Sequence, residues 1–168
     1  MEKQKIAKSK IEDFINDLLD GETRENALDF VAWLRANKMG ISCITSNANG
    51  NSWKLTYKGK IVCRILTMTK GSWYIENYDD RIGDIEELII RENMQDVIWA
   101  HIIRPCHYCM PHNCAKVVGV STENFNGYDR EILGREFKDV CKRTGYFHNP
   151  DKRAVECMKK YAISKSRI

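Results

Sequence analysis

The chain has 168 residues, 43% of them apolar and 30% charged, with a formal net charge of +4. That suits one well-solvated domain with a core of its own. No apolar run approaches the ~20 residues of a membrane span, and "MEKQKIAKSK" has neither an apolar stretch nor a cleavage site, so a cytoplasmic protein with no membrane contact is expected.

The charge is uneven. Residues 1–10 carry four lysines against Glu2, and residues 152–168 carry six basic residues against Glu156, leaving the body between them acidic. Basic ends suit either solvated helix termini, the favoured reading, or contact with nucleic acid.

Residues 3–20 place Ile11, Phe14, Ile15, Leu18 and Leu19 at helical spacing, with Gly21 as the stop. A second helix is expected over 23–38 on Ala27, Phe30, Val31 and Leu34, with Gly40 as its C-cap. The two form an antiparallel helical hairpin. The period then changes to two. "ISCIT", "SWKLTYK", "KIVCRILTM" and "SWYIENY" predict an antiparallel meander of four or more strands, with tight turns at Asn49-Gly50 and Lys58-Gly59. A helix over 84–103 follows, with a break near Asn93, and Arg104-Pro105 ends it. "AKVVGV" suits a strand, "STENFNGYDREILG" a loop, and "REFKDVC" is ambiguous. "HNPDKRAVECMKKYAI" opens a closing helix, with Asn149 as N-cap, Pro150 at N1 and Asp151 in the first turn. The expected fold is α+β. It forms a single domain over 1–168, in which 1–103 holds the helical hairpin, the sheet and a helix. Residues 104–168 hold a cysteine-ligated metal knuckle and the closing helix.

Seven cysteines is an odd number, so the chain cannot pair them all internally. Cys43, Cys63 and Cys157 sit in strand and helix patterns and read as small hydrophobes. "RPCHYCMPHNC", residues 104–114, is different. Its C-x-x-C spacing lets Cys106 and Cys109 reach one ion from a single turn of chain, and Cys114 supplies a third thiolate. Pro105 and Pro111 stiffen the loop. Cys141 is the preferred fourth ligand, and Lys142 and Arg143 beside it offset the charge of four thiolates. His112 and His107 are substitutes and His148 a weaker one, since Cys₃His sites are also common. The expectation is one structural Zn²⁺.

Unligated surface thiols are one competing reading; thiol–disulfide chemistry at Cys106 and Cys109 is another, but a thioredoxin-type dithiol opens a helix, whereas this one follows a helix. "PCXXC" also occurs in zinc deaminases, but no H-x-E precedes it here; upstream stands only His101, in "HII". H-E-x-x-H, G-x-S-x-G and the P-loop are missing as well. A second candidate site is aromatic: Trp53, Tyr57, Trp73, Tyr74 and Tyr78, interleaved with Lys54, Lys58, Lys60 and Arg64, read mainly as core and sheet surface. Base stacking or an aromatic-lined ligand pocket are the minor readings. The function expected is a non-enzymatic zinc-binding domain that recognises a small ligand or protein partner. A redox enzyme is the alternative, and nucleic-acid binding through the termini a second one.

"ALDFVAWLRANKM", "WKLTYKGKIVCRI", the cysteine cluster, "ILGREFKDVC" and "NPDKRAVECMKKY" are similar to stretches of small uncharacterised bacterial α+β proteins. The resemblance implies that the C-terminal pieces belong together, which favours pairing Cys141 with the cluster. It carries over no catalytic residue.

Overall fold

The structure is a computed structural model, and it describes residues 10–47, 50–69, 71–77, 86–102, 128–140 and 146–165. It has a mixed α and β fold that divides into two compact units. One comprises residues 1–78 and 147–168; the other comprises residues 79–146. The closing helix is grouped with the N-terminal elements.

In the first unit, α1 (Ile11–Leu18) and α2 (Gly21–Ala36) form the expected hairpin. Ile11, Ile15 and Leu19 are buried from one, and Ala27, Phe30, Val31 and Leu34 from the other, as the periodicity required. Arg35 clamps Glu12 across the hairpin through one guanidinium edge, Nε donating to Oε1 at 2.5 Å and Nη2 to Oε2 at 2.9 Å. That hydrogen bond holds the Glu12 carboxyl below its usual range.

Both expected helix stops are displaced. Gly21, with φ +50°, opens α2 instead of closing α1, because the chain turns at Leu19 and Asp20 in extended conformation. The end of α2 falls before Gly40. Lys38 takes the left-handed conformation, with φ 57°. Its amide donates to the Arg35 carbonyl at 2.9 Å, and the Met39 amide donates to that of Leu34 at 3.0 Å. This is a Schellman closure, with Met39 and Leu34 both buried. A side chain is strained there, so Lys38→Gly should stabilise the protein by about 1 kcal/mol, read as a raised urea midpoint.

Strands β1 (Gly40–Asn47), β2 (Gly50–Tyr57), β3 (Lys60–Thr69) and β4 (Ser72–Asn77) form the predicted antiparallel meander. Lys58 (φ 48°) and Gly59 (φ 81°) make the two-residue turn, whose twist matches the strands. Between Leu55 and Thr56 the register slips by a residue, so Val62 and Cys63 are both buried where strict alternation would expose one. Trp53, Leu55, Ile65, Trp73 and Ile75 complete the inner face. Phe14 meets Trp53 edge-on at 5.2 Å, and Phe30 lies 6.4 Å from Trp73. Cys63 and Cys157 are buried as expected, whereas Cys43, near the free edge of the sheet, is exposed.

A fifth strand not foreseen in the sequence, β7 (Tyr146–His148), lies beside β4. The closing helix, α5 (Lys152–Lys165), follows it and buries Ala154, Val155, Met158, Tyr161 and Ala162 as predicted. Its N-cap is Asp151, whose Oδ1 accepts the Ala154 amide at 2.7 Å. Asn149, expected to cap, does something else. With φ 41°, it accepts the Trp73 amide at Oδ1 (2.9 Å) and donates from Nδ2 to the Gly71 carbonyl (3.1 Å). Its own amide donates to the Trp73 carbonyl at 2.9 Å.

Lys159 ties α5 to α2. Its Nζ, nearly buried, donates to Asp29 and Glu156, both at 2.6 Å. Burial disfavours its charge, but the two carboxylates more than offset that and its pKa is raised. A raised pKa in the folded state means this stabilisation is complete below the ordinary lysine pKa and is lost as pH climbs through the folded value. Alkaline melting should therefore show a loss above about pH 10.5 that Lys159→Met lacks.

Candidate metal centre

In the second unit the cysteine stretch lies, in sequence, between a helical segment and a hairpin. The expected helix over 84–103 is two: α3 (Glu86–Arg91) and α4 (Gln95–Ala100). The break falls at Asn93 as predicted. Asn93 has φ 52°, and the Met94 amide donates to the Ile89 carbonyl at 2.9 Å, a second Schellman closure. The segment read partly as loop and partly as ambiguous forms β5 (Tyr128–Ile132) and β6 (Arg135–Val140), paired antiparallel. Leu133 (φ 54°) and Gly134 (φ 74°) make another two-residue turn of the strand-matching type. The sequence signal was "ILGRE", a glycine between short polar-apolar runs.

The hairpin is welded to the end of α4. Ile132, Phe137 and Val140 form a buried cluster, with Trp99, Ile102 and Leu133 packed against it. The Trp99 indole donates to the Ile132 carbonyl at 2.9 Å, which satisfies its one polar atom and fixes its plane. The Arg135 guanidinium lies over both Trp99 (5.5 Å) and Phe137 (5.2 Å).

A bulge decides which residues of β6 are buried. Arg130 pairs with Phe137 and Tyr128 with Val140, so Asp129 faces two residues, Lys138 and Asp139. Asp139 takes φ 54°, and Lys138 and Asp139 are both exposed while Val140 is fully buried. The Lys138 ammonium donates to Asp129 at 2.8 Å and holds that exposed carboxyl below its usual range. By inserting one residue, the bulge turns Val140 into the cluster.

This arrangement bears on the four cysteines through their neighbours. Cys106, Cys109, Cys114 and Cys141, with His107 and His112, lie outside the described residues. Ile102 stands four positions before Cys106, and Val140 is the residue before Cys141. Both belong to one cluster. Four residues of fully extended chain span at most about 14 Å, so both segments depart toward the cysteines from one anchoring point. Among the described residues, no group of three or more His, Cys, Asp or Glu side chains is placed to hold a metal. His148 belongs to the sheet unit, where its ring stacks on Tyr74 at 4.6 Å.

The aromatic site divides between core and sheet surface. Trp53 and Trp73 are buried, Tyr57 and Tyr74 are half-buried, and Tyr78 lies outside the described residues. Of the basic C-terminal residues, Lys159 is internal and paired, and so is unavailable to a polyanion. No helix among the described residues is long and apolar enough to cross a membrane. Family models, curated proteins and solved structures give no match to this chain.

Proposed function

We propose that residues 79–146 form a zinc-stabilised unit in which Cys106, Cys109, Cys114 and Cys141 hold one structural Zn²⁺, and that the protein acts by recognising a small ligand or a protein partner. The observation that supports the metal site most is the shared anchoring of Ile102 and Val140. It starts both cysteine-bearing segments from one place, which a four-ligand site drawn from two distant stretches needs.

The donor set suits zinc. Thiolates are soft ligands, and four of them in a closed tetrahedron leave no open position for water, which makes the site structural. The size of the unit gives the metal a physical role. It has roughly 70 residues, and units of that size seldom reach several kcal/mol of stability without a staple. Metal binding would then contribute directly to the folding of this unit. The sheet unit has its own core.

Elemental analysis of protein purified without chelator tests the reading. It should give about one zinc per chain. A metal-free folded protein, with Cys106 and Cys109 cycling between dithiol and disulfide, would replace this reading with the redox one.

A further inference from the structure

We infer that residues 79–146 are an inserted module, and that the sheet unit closes on itself without them. The strand ends carry the argument. β4 stops at Asn77 and β7 starts at Tyr146, and the two strands are neighbours in the sheet. Trp73, near the start of β4, is bonded to Asn149, just past the end of β7. The strands therefore run antiparallel, and the end of β4 lies beside the start of β7, about 5 Å across the sheet. The chain leaves the sheet and re-enters it at the mouth of what would otherwise be an ordinary β-hairpin.

Two side-chain bonds tie the sheet unit across that gap, and a backbone bond ties its N-terminal part together. Asn26 on α2 donates to the Pro150 carbonyl at 3.3 Å. Lys159 on α5 reaches Asp29 on α2 at 2.6 Å. The Gly71 amide, in the turn joining β3 to β4, donates to the Leu18 carbonyl at the end of α1 at 2.7 Å. None of these bonds uses residues 79–146. The other unit has its own cluster on Ile132, Phe137 and Val140. Two units with separate cores, joined by two adjacent crossings, should open separately.

Only the metal arm of the test rests on the zinc reading. Native-state amide hydrogen exchange on the full chain, at rising urea and with or without a zinc chelator, separates the two ideas. The amides of β5 and β6 should share one opening and those of β2, β3 and α2 another, with distinct urea dependences. Chelation should speed exchange in β5 and β6 by at least about tenfold and leave β2 and β3 within about twofold. One common opening for all of these amides would overturn the inserted module. Two openings that both ignore the chelator would uphold the module and reject the metal. A second variant guards the result: four Gly-Ser residues added after Tyr78 and again after Gly145. Loop closure depends only weakly on length, so the sheet unit should keep its urea midpoint. A large loss would show that the units fold as one.

Discussion

Cys141→Ser is expected to release the metal and unfold residues 79–146 while leaving the sheet unit folded. On the proposed ligand set three thiolates would remain, but the site would lose its one ligand from beyond the hairpin, and with it the cross-link between two stretches far apart in sequence. Apparent binding free energies of structural zinc in small domains are about 10–16 kcal/mol at neutral pH, more than a unit of this size supplies from its core. In an amide-resolved NMR spectrum, the signals of β5 and β6 should collapse toward random-coil positions. Those of β2, β3 and α5 should stay dispersed, because the closing helix packs in the sheet unit. A Cys141→Ser protein that keeps its zinc and its β5 and β6 signals would show that another residue, His112 or His107 first, completes the site.

The second large effect is expected at Asn149. Its side chain bridges the Trp73 amide and the Gly71 carbonyl, and its backbone sits at φ 41°, which asparagine tolerates better than most residues. Alanine removes both side-chain bonds, at about 1 kcal/mol each, and adds about 1 kcal/mol of left-handed strain. The total is about 3 kcal/mol, lost from the sheet unit. Glycine loses the bonds without the strain. Aspartate keeps the acceptor for Trp73 but sets a carboxylate against the Gly71 carbonyl. Urea midpoints should therefore fall in the order Asn, then Gly and Asp, then Ala. If alanine matches glycine, the left-handed backbone at this position is wrong.

The sequence was readable where its period was regular. Regular periods survived: the apolar stripes of α1, α2 and α5 and the alternation of β2 are where the residues said they would be. So was the break at Asn93, because the apolar residues on its two sides lie on different stripes. Punctuation was misread where chemistry allows two meanings. Gly21 and Gly40 fit a helix stop, yet Lys38 took the left-handed position because the Schellman bonds and the Met39–Leu34 pair outweighed its strain. "HNPD" offers two capping side chains, and the sequence cannot show that Asn149 is drawn off to Trp73, a residue 76 positions away. β7, three residues long, carries no period at all. For the proposed metal site, the sequence offers residue types and spacing. What sequence could not supply was the bulge at Asp139, which sends Val140 into the cluster shared with Ile102.

The most direct test of the account is zinc K-edge absorption on the purified full-length protein. Four sulfur neighbours at about 2.3 Å, with no nitrogen or oxygen in the first shell, are the expected result. A first shell containing water or carboxylate oxygen, or no bound zinc at all, would contradict it.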